Sequence, residues 1–190
     1  MKIRFVSLIS QDNRPLYIQA FISESKEEYN TSTPAAENEM NELLKYNFLS
    51  HMSLDVFESP FCPPSSLATQ GKPSLLFVQD GILVYGLETQ TGLKIVIGCS
   101  RYNNQTIKNN DDATIAAKMT GDTLGNLEGY VETDVMEVSD LISITSAIKK
   151  EYLRYCCNPF LDSKTVTEIK SEKFDKNIKG IIDEFNFNHV

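Results

Sequence analysis

Between residues 74 and 99 the chain reads SLLFVQDGILVYGLETQTGLKIVIGC, with apolar side chains in both alternating sets of positions. Asp80-Gly81 divides the first two apolar runs, and such a dipeptide supplies the positive φ angles that a tight hairpin turn needs. Thr89-Gln90-Thr91-Gly92 breaks the chain again before a third run over 93–99. Three strands joined by two short turns make a meander. In the second strand Ile82, Val84 and Gly86 project one way, and Leu83, Tyr85 and Leu87 the other. In the third, Leu93, Ile95, Ile97 and Cys99 oppose Lys94, Val96 and Gly98. A sheet with one wet face alternates apolar with polar. This pattern instead predicts a middle layer, covered on both faces by elements from the rest of the chain.

The flanking segments supply them. Ile3, Phe5, Ser7 and Ile9 alternate with Arg4, Val6 and Leu8. The turn formers Asp12-Asn13-Arg14-Pro15 follow, and 16–22 resumes an apolar run, which predicts an N-terminal β-hairpin. Residues 23–33 are polar and read as a loop. From Pro34 the period changes. Met40, Leu44, Phe48, Met52 and Val56 form an i, i+4 row flanked by Leu43, Leu49 and Leu54, predicting a long amphipathic helix with that row on the sheet. Glu37, Glu39 and Glu42 suit the positive end of its dipole, and Phe61-Cys62-Pro63-Pro64 ends it. Residues 101–137 are polar and Gly/Thr-rich and read as a flexible insertion. Ser139 is the expected N-cap of a second helix carrying Leu141, Ile144, Ile148, Tyr152 and Tyr155, stopped by Asn158-Pro159. A last helix begins after Ser171, with Phe174, Ile178, Ile181, Ile182 and Phe185 on one face and Asp175 in its first turn. The order β-β-α-β-β-β-α-α predicts one α/β domain over 1–190, with a five-stranded antiparallel sheet between helical layers.

Composition narrows the functional classes. The chain has 190 residues and a formal net charge of −8, and its Lys and Arg residues form no run. Nucleic-acid binding needs a basic footprint, and an anionic membrane surface is disfavoured for the same reason. No apolar stretch approaches the roughly 20 residues of a membrane span, and the N-terminal run is too short and interrupted for a signal peptide. Lysine at position 2 excludes myristoylation. The cysteines Cys62, Cys99, Cys156 and Cys157 lack C-x-x-C spacing and are expected to be reduced, mostly buried thiols.

Several stretches together resemble the sedlin-like small subunits of the TRAPP vesicle-tethering complex, which have a longin-like (profilin-like) fold. Pro15-Leu16-Tyr17-Ile18 lies on the second strand. His51-Met52-Ser53-Leu54-Asp55-Val56 is similar to the family's H-x-[SA]-L-D-[VL] at the end of the first helix. Cys156-Cys157-Asn158-Pro159-Phe160 resembles its helix-ending N-P-F, and Ile169, Ser171, Phe174, Asp175 and Ile178 match I-x-S-x-x-F-D-x-x-[VI]. These motifs run the length of the chain, and their wording is nearest the paralogue associated with form II of the complex. Residues 101–137 and the polar stretch between Tyr29 and Asn38 depart from the family's shorter loops. The resemblance implies a non-catalytic cytoplasmic subunit at the Golgi or trans-Golgi. Its implied partners are other TRAPP subunits, small longin-type and large form II ones, supporting Rab-type GTPase activation indirectly, with no cofactor and no membrane insertion.

Asn47, His51 and Asp55 form an i, i+4, i+8 polar row, and with Ser53 they are the candidate partner-contact residues. A local reading makes His51 and Asp55 a pair closing the helix edge, worth a few tenths of a kcal/mol, about 0.3. An enzyme using His51 or Cys156 is the rival from another class, and it predicts a concave pocket lined by one of them beside a hydrogen-bonded partner. Against it stand two histidines in all and no nucleophile elbow. No suitably spaced His or Cys set points to a metal. A longin-type regulatory module of a membrane-fusion protein is the other alternative, and it calls for a coiled-coil segment and anchor that the sequence after the third helix does not supply.

Overall fold

The computed structural model describes residues 1–21, 35–59, 72–100, 136–159 and 168–188. The elements are β1 (Lys2–Ile9), β2 (Pro15–Ala20), α1 (Ala35–Phe57), β3 (Ser74–Gln79), β4 (Ile82–Glu88), β5 (Lys94–Ser100), α2 (Val138–Cys156) and α3 (Glu172–Asn188). All five strands pair antiparallel in the order β2-β1-β5-β4-β3. The β3–β4 turn is made as the dipeptide demands, with φ 50° at Asp80 and 71° at Gly81.

Both faces of the sheet are buried, as the two-sided apolar pattern requires. On one face Phe5, Ile9, Ile82, Val84 and Val96 pack with Tyr46, Leu49 and Phe57 of α1. On the other, Ile3, Val6, Leu8, Leu83, Tyr85, Ile95, Ile97 and Cys99 pack with Leu141, Ile144 and Ile148 of α2 and Phe174, Ile178 and Ile182 of α3. The result is a three-layer α/β/α sandwich. Ile3 breaks the expected alternation of β1. The register of β1 against β5 shifts between Ile3 and Phe5, which sends Ile3 to the α2/α3 side while Phe5 faces α1.

α1 runs along the sheet in the direction of β1. Tyr46 stacks on Phe5 at 5.2 Å between ring centroids, the Ser50 hydroxyl bonds the Ser7 hydroxyl at 2.7 Å, and the Glu58 carboxylate accepts from the Asn13 amide. Asn13 in turn accepts from the buried amine of Lys94 at 2.7 Å, so β5, the β1–β2 turn and the end of α1 are tied together.

Three expectations need correction. The row Met40, Leu44 and Phe48 does not lie on the sheet: these side chains are 58%, 59% and 63% exposed. At 3.6 residues per turn each i, i+4 step overshoots a full turn by about 40°, so the five-membered row spirals about 160° around the helix. It starts on the solvent side and reaches partial burial only at Met52 and Val56. The residues facing the sheet are Tyr46, Leu49, Ser50, Ser53 and Phe57, a set spaced 3, 1, 3 and 4. Second, α2 begins at Val138 and its N-cap is Glu137, with no side-chain cap bond; the Ser139 hydroxyl instead bonds the Glu137 carboxylate at 3.3 Å. Third, Cys156 and Cys157 are exposed, because they follow the buried stripe of α2 into its outermost turn; Cys99 is the buried thiol, and Cys62 lies outside the described residues.

Of the span 101–137, residues 101–135 lie outside the described residues, while Met136 is buried in the α2/α3 core and its N–H approaches the Tyr85 hydroxyl at 3.4 Å. Among the described residues no helix is long and apolar enough to cross a membrane.

Candidate partner interface

The outward side of α1 is built from two rows that the helical period brings together. Met40, Leu44 and Phe48 form an exposed apolar ridge over the N-terminal half. His51 and Asp55 continue the same side as exposed polar groups, with Asn47 half-buried on the flank. Asn47 turns its amide onto the Leu43 carbonyl at 2.9 Å. No hydrogen bond or ion pair among the described residues joins His51 to Asp55. Ser53, grouped with them by sequence, faces the sheet instead: it is fully buried and its hydroxyl donates to the Ser50 carbonyl at 2.6 Å. Leu54 and Val56 are half-buried beside it.

Electrostatics sharpen the contrast between this helix's two sides. Lys45 is engaged with Asp80 of the β3–β4 turn at 3.5 Å, which pins the flank of α1 to the end of the sheet. Beneath the helix, burial raises the Tyr46 hydroxyl to about 12, helped by the negative charge of Glu42, whose carboxylate it approaches at 3.4 Å. The inner side is thus fixed by packing, while the outer side carries large apolar groups that fold stability does not explain.

The remaining motif residues sit elsewhere, and those on β2 and at the start of α3 are part of the packing and capping. Leu16 and Tyr17 are buried on β2, Tyr17 meeting Phe174 edge-on at 4.9 Å, while Pro15 is exposed at the strand's start. Burial and the adjacent Asp175 carboxylate push the Tyr17 hydroxyl upward. Ser171 caps α3: its hydroxyl accepts from the Phe174 N–H at 3.4 Å and its carbonyl from the Asp175 N–H at 3.0 Å. Asn158 and Pro159 lie exposed just past the end of α2, and Phe160 falls outside the described residues.

The surface grooves lined by described residues include three of moderate size. One of about 480 Å³ lies between Tyr17 and the 168–175 segment, and another of about 450 Å³ between Arg154, Tyr155 and Lys173. The third, of about 190 Å³, lies beside Lys2 and Asp183. Neither His51 nor Cys156 lines any of the three. Among the described residues no cluster of three His, Cys, Asp or Glu side chains could hold a metal ion.

The sequence model of the sedlin family matches residues 8–184. The chain belongs to the sedlin family. A curated relative, the TRAPP-associated protein TCA17 of Saccharomyces cerevisiae, is 32% identical over 176 residues, covering 90% of each chain. Membership of the sedlin family accounts for the motif residues that build this fold. Sequence reasoning grouped His51 and Asp55 in a polar row beside the apolar one, and both are exposed. It missed Met40, Leu44 and Phe48 as surface residues, although their regular spacing of four carried the signal.

Proposed function

We propose that this chain is a non-catalytic subunit or assembly factor of a TRAPP-type vesicle-tethering complex. It binds other TRAPP subunits, small longin-type and large form II ones, through the outer side of α1. In this reading it acts from the cytoplasm at the periphery of the Golgi and trans-Golgi, and it supports Rab-type GTPase activation through the complex rather than by its own contact. The TRAPP association of its relative, over 90% of both chains, supports the choice of complex. The observation that carries the choice of surface is the ridge Met40–Leu44–Phe48, three large apolar side chains more than half exposed in one row. Apolar anchors beside exposed polar groups are the makings of an interface core with a polar rim.

Affinity purification from cells with mass spectrometry tests this reading. TRAPP subunits should co-purify with the wild-type chain and be lost with Leu44→Ser/Phe48→Ser. Asp55→Tyr should weaken the same association while leaving the thermal melt unchanged, because the Asp55 side chain points to solvent. Recovery of the same subunits by all three proteins would reject the α1 surface, and recovery of none by the wild type would reject the complex.

A further inference from the structure

The two edges of the sheet are treated differently. Strand β2 opens with Pro15, and the Ile169 N–H donates to the Leu16 carbonyl at 2.8 Å, so the chain covers part of that edge itself. Strand β3 has no such cover among the described residues. Its sequence, SLLFVQ, contains none of the charges or prolines by which exposed edges are ordinarily protected. Leu75 and Val78 stand 43% and 50% exposed.

We propose that β3 is the dimerisation edge of this protein, pairing antiparallel with β3 of a second copy about a two-fold axis. The strand's own irregularity makes it suited to this. The register against β4 shifts between Leu75 and Phe77, with Leu75 opposite Tyr85 and Val78 opposite Leu83. Tyr85 and Leu83 both belong to the α2/α3 core, so Leu75 and Val78 share that side, while Leu76 and Phe77 pack toward α1. The central four side chains therefore point out, in, in, out relative to α1, a sequence that reads the same in either direction. Antiparallel pairing centred between Leu76 and Phe77 sets Leu75 against Val78 of the second copy, and Leu76 against its Phe77. The ends match in charge: Lys72 is exposed before the strand and Asp80 is 57% exposed after it, and the pairing brings each Lys72 beside Asp80 of the other copy. A two-fold contact of this kind is closed, leaving no β3 edge for further growth. It is separate from the α1 surface and does not depend on the TRAPP reading.

Sedimentation velocity of the full chain, from micromolar to submillimolar concentration, tests the proposal. The wild type should show a concentration-dependent dimer, and Leu75→Lys/Val78→Lys should be monomeric throughout with an unchanged thermal melt. Hydrogen exchange of the wild type at low and high concentration provides a second readout that needs no variant: amides of Ser74–Gln79 should slow on dimerisation and those on the outer side of α1 should not. A wild type that stays monomeric would overturn the proposal, leaving the edge to a strand from some other protein. So would a dimer that survives the double lysine variant, or one that protects α1 instead of β3.

Discussion

Gly98 has no room for a side chain. A Cβ built there would lie 2.0 Å from Cε1 and 2.4 Å from Cδ1 of Phe5, whose ring lies between this bare backbone and the ring of Tyr46. The Phe5 ring is held in the sheet and cannot swing clear, because it is fully buried and opposite Gly98 in the ladder. Gly98→Ala should therefore destabilise the protein by about 3 kcal/mol, toward the upper end of what overpacking costs. A urea midpoint within error of the wild type would show that the stack can shift instead. The alternation of β5 grouped Gly98 with Val96, which packs on the α1 side, but alternation reports a shared side and not a separation. That a ring would press on this glycine depends on the register shift in β1, which no local pattern encodes.

At the scale of elements, the first helix separates what a hydrophobic pattern can and cannot tell. The element and its start just after Pro34 were legible from a long apolar-periodic run, but the helix ends at Phe57, before the Phe61-Cys62-Pro63-Pro64 expected to end it. Its orientation was misread, because a row of fixed spacing four is not a stripe on a helix of 3.6 residues per turn. Tyr46, Leu49, Ser50, Ser53 and Phe57 hold the sheet side, and two serines among them hid it from a purely apolar reading. A paired substitution separates the two sides. Leu49→Ala, at a position 1% exposed, should cost about 2–5 kcal/mol in chemical unfolding. Phe48→Gln, one residue away, should change stability by no more than about 0.5 kcal/mol while reducing partner association. Equal losses from both would mean that the ridge is part of the fold. The last helix gave no such trouble. Phe174, Ile178, Ile182 and Phe185 follow steps of four, four and three, so the row stays on one face, and Ser171 caps it as its position suggested.

For the whole molecule, the sandwich followed from β4 and β5 alone, since strands apolar on both faces leave helices no choice but to cover both. The same argument overreached at β3, where Leu75 and Val78 stay open because α2 and α3 do not extend over the edge strand. Burial in two separate cores also sets how the fold responds to alkali. Cys99, in the α2/α3 core, has its thiol pushed by burial from 9.0 to about 12. Tyr46, in the α1 core, rises from 10.0 to about 12, and Tyr152 on α2 rises to about 12 through burial and a hydrogen bond with Cys156. Each group is neutral when protonated, and the folded state favours that form more than the unfolded chain does. The stability they contribute is therefore complete below pH 9 and is lost as pH rises toward 12. The urea midpoint should stay level from neutrality to about pH 9 and then fall, with the first part of the fall belonging to Cys99, whose ordinary value is the lowest of the three. Cys99→Ala should consequently delay the onset by about one pH unit, to where the tyrosines begin to ionise, whatever its effect on stability at neutral pH. A midpoint that falls from the same pH in both proteins would show that the buried thiol contributes nothing to the alkaline transition.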